Sequence, residues 1–519
     1  MPTNPKVVAT LVPASTIAQN SDQKILVVAQ QTPAATATVD TLTESIGVNG
    51  EQVGLFGRRS AAAKIVTAVK KSNPVSQIDV IGVGDGTTPR VVTATFTGTA
   101  SEAMPLNWVH GSKKNHTTSI SVAVGDNAAA IAATLDAAID LDLDSPFTVT
   151  SSSGSVVHTA ASSGIAPNAY PIGFVGSLPA GITVVIVETT PGAVDPDTSS
   201  TLDVVGLRRY QQIVWALDVV EGTADDVVTF LDDRFNSTNG RVEDGGVFYT
   251  NFNTLANVLS RNNAFNSENA WPICYNKITN AAKYFGPHLM EHPDEVNGYL
   301  AGIVALRLTD GEAISQFITA TQGNEQFGGP KGASLPLFNT PMKGIASLAE
   351  PGREFDPLEV AQINDSGGSV IGNNSAETEV ITGALLTTYK TLPSGVADET
   401  WKFINYRLTG SGVREFYHTN LSSRFAQSRL TDGDLVEGVS MANEDSIRAF
   451  CTRLFSTLTG ATYILTRKGE ENLKFFKENL DVSLNLQTGV VTITALFPIV
   501  TQVRQINMAL KIAFNTGGA

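Results

Sequence analysis

Segments with a strand–helix–strand pattern and a segment with a β-rich pattern follow one another along this chain, and their order constrains the fold more than any single motif. An apolar run, KILVVAQ (24–30), precedes an Ala-rich helical segment that ends at Asn73-Pro74, and IDVIGVGDG (78–86) follows. Flat apolar strands are typical of parallel sheets, and the residue before a proline disfavours a continuing helix. Strand, helix and strand in this order predict the start of a parallel α/β sheet.

From Pro89 to Ser200 the chain becomes rich in Thr, Ser, Gly and Ala, with period-two alternation in VVTATFTG and ITVVIVET. One helix, NAAAIAATLDAAI, interrupts this block, and we expect Asp126 to open it. The alternation predicts half-buried strands. We interpret 89–200 as an autonomous β-rich domain inserted into the α/β unit, with its two ends close together. The alternative is that these strands extend the main sheet and share its core.

After Ser200 the strand–helix rhythm returns, with apolar runs at QQIVWALDV (211–219), GGVFYTNF and AWPICY. DEVNGYLAGIVALRL (294–308) predicts a long helix, and an amphipathic helix is expected around 444–458. The predicted divisions are an N-terminal extended arm 1–24, the first part of the α/β core 25–88, the inserted outer domain 89–200, the rest of the core 201–385, a C-terminal α+β domain 386–502 and a C-terminal linking arm 503–519.

The C-terminal segment carries a regular alternation of apolar and small or polar residues. The apolar positions are Ile506, Met508, Leu510, Ile512 and Phe514. An upstream run, from Ile493 to Ile499, alternates in the opposite phase. The break in phase near Arg504 predicts a terminal strand that pairs outside its own domain. An ordinary edge strand of its own domain is the alternative.

Charge and composition exclude several classes of function. The net charge of the 519-residue chain is −15, and no basic stripe is present that could neutralise nucleic-acid phosphates. Charged residues make up only 16% of the chain, as suits a protein that buries much of its surface against neighbours. The start, MPTNPKVVATLV, lacks the pattern of a signal peptide, and no apolar run is long enough to span a bilayer. We expect a protein made in the cytoplasm, with Cys274 and Cys451 as buried thiols.

The sharpest enzymatic signal is His288-Leu-Met-Glu291-His292, which matches the H-x-x-E-H zinc pattern. Zinc binding requires both imidazoles on one helical face, and Pro293 makes a helix through His292 unfavourable. We interpret the motif as a surface turn that leads into helix 294–308. Similarly, Gly82-Val-Gly84-Asp-Gly86 lacks the helix that a dinucleotide loop requires after it. We interpret this glycine run as a turn out of the sheet.

No other catalytic pattern is present, since the sequence has no G-x-S-x-G elbow and no P-loop. The acidic pairs Asp225-Asp226 and Asp232-Asp233 are interpreted as a solvated charged face of one helix. For the series Arg407, Arg414, Arg424 and Arg429, ion pairing is favoured over phosphate binding. We therefore expect no catalytic residue, no cofactor and no metal.

Several segments, taken in order, resemble the tail sheath proteins of Mu-like contractile-tailed phages. These segments are GDNAAAIAATLDAAI (125–139), SSGIAPNAY (162–170), LPAGITVVIVETTPGAVDPD (178–197), FLDDRFNSTNGR, NTLANVLSRNNAFNSENAWPICY, ITGALLTTYKT, the LSSRFAQSRLTDGD stretch (421–434), ENLKFFKENLDVSLN and VTITALFPIVTQVRQINMALKIAF. The resemblance covers nearly the whole chain, and its specificity lies in the number and fixed order of the pieces.

The resemblance implies an α/β core of subtilisin-like, non-catalytic topology, with an inserted β-rich domain and a C-terminal α+β domain that ends in extended arms. It also implies hexameric rings stacked around a tail tube, with baseplate and tail terminator proteins as further partners, and location in the virion tail after assembly in the host cytoplasm. The linking role of the family's C-terminal arm falls on Ile506, Met508, Leu510, Ile512 and Phe514. The partner of the N-terminal arm is left open.

Two other classes of protein compete with this interpretation. One is a zinc-dependent hydrolase on an α/β fold, which would use the H-x-x-E-H motif. The other is a surface-layer structural protein built from stacked β-rich modules.

Overall fold

The computed structural model describes residues 23–46, 50–194, 196–217, 224–235, 245–280, 282–308, 337, 340–345, 354–373, 380–461 and 469–497. The chain divides into two compact units between Ser428 and Arg429.

The α-helices of the described residues are α1 (Glu51–Phe56), α2 (Ala61–Ser72), α3 (Ala128–Ile139), α4 (Ala224–Phe235), α5 (Leu255–Ala264), α6 (Pro293–Leu308), α7 (Pro357–Asp365), α8 (Ile404–Phe425), α9 (Glu444–Ala461) and α10 (Gly469–Glu478). The strands are β1 (Lys24–Gln30), β2 (Leu42–Thr43), β3 (Gln77–Val83), β4 (Pro89–Gly98), β5 (Met104–His110), β6 (Thr117–Val122), β7 (Phe147–Ser152), β8 (Ser155–Ser163), β9 (Ile172–Val175), β10 (Ile182–Thr190), β11 (Gln212–Trp215), β12 (Gly246–Asn253), β13 (Ala270–Asn280), β14 (Tyr284–Pro287), β15 (Ser369–Asn373), β16 (Val380–Thr382), β17 (Arg429–Leu430), β18 (Met441–Ala442), β19 (Asp481–Asn485) and β20 (Val490–Thr494).

A parallel sheet forms the centre of the first unit, in the order β3-β1-β11-β12-β13. The chain leaves this sheet after β3 and returns on the other side of β1 as β11. Leu26 and Val28 of β1 face the helix α4 side, whereas Ile25 and Val27 belong to the core on the side of α2 and α6. Because both faces are covered, the strand is apolar throughout. The predicted strand, helix and strand at the start of the sheet are confirmed.

Helices α2 and α6 cross closely because two glycines of α6 have no side chain at the crossing point. A Cβ atom at Gly302 would lie 2.0 Å from Oγ of Ser72 and 2.8 Å from the carbonyl oxygen of Val69. A Cβ atom at Gly298 would lie 2.8 Å from Cγ2 of Ile65. The crossing fixes α6 against the sheet, and the turn before α6 is fixed with it.

The inserted block contains a four-stranded antiparallel sheet, β10-β4-β8-β7, and a second ladder, β9-β5-β6. Helix α3 lies between them, and Phe96, Trp108 and Leu135 share one apolar core. Thr88 and Ala193 form a β-bridge, so the two ends of the block meet as expected. Helix α3 is capped by Asn127, whose side chain accepts from the N–H of Ala130, so the assignment of Asp126 as the cap was wrong.

The inserted block is also joined to the central sheet through β9. Tyr284 and Phe285 of β14 pair with Gly173 and Ile172 of β9, and β14 in turn pairs with β13. A Cβ atom at Gly173 would lie 2.4 Å from the carbonyl oxygen of Lys283, so this ladder requires glycine. The ladder β9-β5-β6 therefore extends the main sheet, as the alternative interpretation proposes. The four-stranded sheet does not, because its strands pair only with one another among the described residues.

The segment 386–428 belongs to the first compact unit, whereas the predicted C-terminal domain begins at residue 386. Ile404 and Leu408 of α8 are part of the same apolar core as Ile25 of β1. In the second unit, helices α9 and α10 pack with the two-stranded antiparallel sheet β19–β20. The ring centroids of Phe455 on α9 and Phe476 on α10 are 4.2 Å apart.

Candidate assembly site

The H-x-x-E-H motif lies in a buried turn, and its first imidazole is fully engaged with backbone groups. Nδ1 of His288 accepts from the N–H of Asn276 at 3.1 Å, and Nε2 donates to the carbonyl oxygen of Ile371 at 2.9 Å. Burial lowers the pKa of His288 to about 4, so this ring is neutral at pH 7. Neither nitrogen is available to a metal.

The other two side chains of the motif are engaged in separate places. Nδ1 of His292 accepts from the N–H of Asp294 at 3.2 Å, and Nε2 donates to the carbonyl oxygen of Ala166 at 3.2 Å. Glu291 accepts from the hydroxyl of Ser112 and, at 2.9 Å, from the N–H of Lys114. The predicted turn before helix α6 is confirmed, but its assignment to the surface was wrong, because His288 and His292 are each 1% exposed.

The described ranges contain no group of three or more His, Cys, Asp and Glu side chains that could hold a metal ion. Within those ranges, no helix is long and apolar enough to cross a bilayer. Both cysteines are buried and neither is part of a disulfide, as expected.

The glycine run at 82–86 is a turn out of the sheet, as predicted. Strand β3 ends at Val83, and the next element is strand β4, not a helix. A Cβ atom at Gly86 would lie 2.1 Å from the carbonyl oxygen of Val194. Glycine is therefore required where the chain enters the inserted block beside the Thr88–Ala193 bridge.

One residue of the acidic series and one of the arginine series form structural contacts, so Asp232 departs from the expected solvated face. Asp232 accepts from the hydroxyl of Ser267 at 2.6 Å and from the side-chain amide of Asn269 at 2.7 Å. Arg407 is 2% exposed and donates to Oδ1 of Asn269 at 2.9 Å. These contacts hold α4 and α8 to the start of β13.

A buried polar cluster at the junction of the core and the inserted block was not found from the sequence. Nζ of Lys64 on α2 lies 3.5 Å from Nε2 of His116, and Nδ1 of His116 lies 2.7 Å from Oδ2 of Asp142. Burial lowers the pKa of Lys64 to about 8, and the charges of Glu295 and Asp142 raise it in part. The only local signal was a lysine on the apolar face of α2.

The second unit has an exposed two-stranded sheet that can receive further strands. Val482 of β19 pairs with Ile493 of β20, and the two strands pair with no other strand among the described residues. Val490 is 53% exposed and Leu496 is 54% exposed. Unpaired strand edges beside exposed apolar side chains can template the addition of a strand.

The last described residues lie beside this sheet. The ring centroid of Phe497 is 5.4 Å from that of Phe476, so the chain is held to the second unit immediately after β20. The predicted site residues follow at 506–514 and lie outside the described residues. They are Ile506, Met508, Leu510, Ile512 and Phe514.

Comparison with solved structures finds two sheath proteins that align with nearly the whole chain. The sheath tail protein Lin1278 from Listeria innocua matches with 10% identity and a TM-score of 0.45, covering 93% of each chain. The helical sheath of the anti-feeding prophage, in its contracted state, matches with 12% identity and a TM-score of 0.46, covering 98% of this chain and 99% of that one. No protein-family model matches, and no curated protein matches by sequence.

The chain is a mixed α/β protein in which helices pack on a large sheet. The two sheath proteins are only 10% and 12% identical to this chain, which is too little to establish a shared function.

Proposed function

We propose that this chain is the structural subunit of a contractile phage tail sheath of the Mu-like kind. The observation that carries the proposal is the exposed β19–β20 sheet, followed in sequence by the alternating apolar residues 506–514. One chain thereby supplies both a sheet that can accept a strand and a segment with the pattern of a strand. The ordered resemblance of segments from 125–139 to the C-terminus supports the same conclusion.

In the proposed assembly, residues 506–514 of one subunit add a strand to the β19–β20 sheet of a neighbour. Main-chain hydrogen bonds then provide affinity, and alternate side chains provide specificity. Full burial of five large apolar side chains contributes roughly 7–15 kcal/mol at about 1.5–3 kcal/mol each. Ordering and association offset much of this. The remainder keeps subunits linked while they rotate as rigid bodies.

The finer features of the proposal come from the resemblance. They are a core of subtilisin-like topology, hexameric rings stacked around a tail tube, contraction that drives the tube into the host envelope, and further contacts with baseplate and tail terminator proteins. The chain would be located in the virion tail and assembled in the host cytoplasm. No catalytic step is proposed, since the side chains of the H-x-x-E-H motif are engaged with separate partners.

Truncation after Val503 tests the linking role of the C-terminal segment. The truncated protein should keep its circular dichroism spectrum and lose the ability to form long tubes in negative-stain micrographs. If the truncated chain unfolds, the segment belongs to the core of its own domain and the linking role fails.

A matched pair of substitutions tests whether tube formation depends on the apolar side chains of the C-terminal segment and not only on its length. Leu510→Asp places a charge at an apolar position of the alternation and should abolish tubes, whereas Ala509→Asp places the same charge one residue away and should weaken them less. A full-length chain that stays monomeric across protein and salt concentrations would contradict the sheath proposal itself.

A further inference from the structure

The outer face of the four-stranded sheet in the inserted block carries no charged side chain. Inward-facing residues of this sheet, such as Phe96 and Val184, belong to the core of the block. The residues that alternate with them over 91–97, 148–152, 155–163 and 183–189 are Thr, Ser, Val or Ala. Glu188 of β10 lies on the inner side, where it pairs with buried Arg90.

Strand register arranges these residues in straight rows. Val187, Thr93, Val157 and Thr150 are successive partners across β10, β4, β8 and β7. The neighbouring row begins with Val185 and Thr95. Val185 is 50% exposed and Val187 is 49% exposed. The face therefore presents aligned methyl groups to solvent, from the edge strand β10 to Val157 on the inner strand β8.

Several of the hydroxyl groups on this face have partners within the sheet. The hydroxyl oxygens of Thr97 and Thr183 are 2.7 Å apart, and those of Thr95 and Ser155 are 3.1 Å apart. The hydroxyl of Thr189 donates to the carbonyl oxygen of Val91 at 3.1 Å. Because these hydroxyls already have partners, the face is more apolar than its threonine content suggests.

Charge and chemistry indicate which partner fits. The chain has a net charge of −15, so two copies repel each other on the whole, and a charge-free face is where this repulsion is weakest. The described face has no aromatic side chain on which a sugar ring could stack and no cation for a phosphate. We propose that this face packs against the same face of a second copy of the chain.

The size of the face predicts the strength of this pairing. Strands about 4.8 Å apart and roughly seven residues long give a patch on the order of 300–400 Å². Stable interfaces bury about 800 Å² on each partner, so the pairing is weak and depends on concentration. A face-to-face pair has a two-fold axis, which neighbours within a polar tube do not share. The contact would therefore join free subunits or adjacent tubes, and it goes beyond the proposed sheath function.

Cysteine cross-linking of the full chain tests the proposal. Val157 lies on an inner strand near the centre of the face, so Val157→Cys should give a disulfide-linked dimer on mild oxidation. Leu141→Cys, at a site 83% exposed elsewhere on the same block, is the control and should give at least tenfold less. The native cysteines are buried and should contribute little. Equal dimer yields for the two variants would overturn the proposal.

Charge substitution provides a second, independent measurement. Val157→Lys and Val157→Glu should each lower self-association in sedimentation equilibrium, and an equimolar mixture of the two should restore it. Loss of association without restoration on mixing would show that a different surface or ligand occupies the face and would overturn the proposal. Tube formation by Val157→Lys, scored separately in micrographs, should be retained, so a failure here is distinguishable from a failure of the sheath function.

Discussion

The ammonium group of Lys64 lies 3.5 Å from Nε2 of His116, across the junction between helix α2 and the inserted block. The same ammonium lies 5.4 Å from the ring centroid of Tyr170, which also belongs to the inserted block. Glu295, Asp142 and Asp144 favour its charged form, whereas burial and Arg59 disfavour it, and the pKa of Lys64 falls to about 8. A buried cation thus lies where the inserted block meets the core.

Replacement of Lys64 by methionine should flatten the pH dependence of stability above neutrality. Between about pH 8 and 10 the unfolded chain keeps this lysine protonated while the folded chain releases the proton. The free energy of unfolding of the wild type should therefore rise over this range, by up to on the order of 3 kcal/mol. Lys64→Met should lack that rise. Urea titrations at pH 7.5, 8.5 and 9.5 measure it, with Lys71→Met on the exposed side of α2 as the control.

Protonation of His288 should destabilise the fold in acid. Burial lowers its pKa to about 4 in the folded chain, whereas an unfolded histidine titrates near 6.5. Stability from the neutral ring is complete above about pH 6.5 and is lost as the pH falls towards 4. His288→Gln should cost roughly 1–3 kcal/mol at pH 7 through lost hydrogen bonds and should reduce the acid dependence. His418→Gln on helix α8 is the control, and an equal acid dependence in both variants would contradict this assignment.

Zinc should not bind stoichiometrically to the H-x-x-E-H motif. Each imidazole uses both nitrogens for hydrogen bonds to backbone groups within the core. Metal analysis of protein purified without chelator should give the same low zinc content for the wild type, His288→Ala and His292→Ala. One zinc per chain that disappears in both variants would favour the hydrolase alternative.

Alanine at Gly302 should destabilise the crossing of α2 and α6. The added Cβ atom would lie 2.0 Å from Oγ of Ser72, and overpacking of this kind costs roughly 1–3 kcal/mol. Gly54→Ala on helix α1 meets nothing within 4 Å, and it should be neutral or stabilising by up to about 1 kcal/mol through helix propensity. Thermal unfolding compares the two, and combining Gly302→Ala with Ser72→Ala should recover part of the loss.

Residues 89–200 should fold when expressed alone, because the core of the block is built from its own strands and helix. A chain in which a short Gly/Ser linker replaces them should also fold, although it would expose Lys64 and the β14 edge. Circular dichroism and solubility measure both outcomes. A disordered fragment together with an insoluble deletion variant would show that the block is integral to the core.

Local patterns predicted those elements whose burial is uniform along the chain. Strand β1 is covered on both faces and reads as a continuous apolar run, and the alternation of β4 and β10 reflects one buried face. The exposure of the H-x-x-E-H turn could not be judged in this way. Its partners Ile371 and Ala166 lie 83 and 126 residues away in sequence, and the turn signals of Pro287 and Pro293 say nothing about what covers the turn.

Only one of the two parts of the proposed assembly site could be predicted from the sequence. The alternation at 506–514 was read from the sequence, whereas the exposed sheet β19–β20 came only from the structure. The lysine on the apolar face of α2 is a local signal, but no pattern indicates that Lys64 meets His116, which is 52 residues away. Pairings between distant polar side chains depend on topology, which local periodicity does not encode.

The inserted block is fastened to the central sheet at two separate places. One is the pair of chain connections at its ends, which the Thr88–Ala193 bridge holds together, and the other is the β9–β14 ladder at Ile172 and Phe285. A block held only by its chain ends would swivel about one point, but two attachments remove that freedom. The block should therefore rotate together with the central sheet. A small rotation of the sheet would displace each part of the block by an amount that grows with its distance from the sheet.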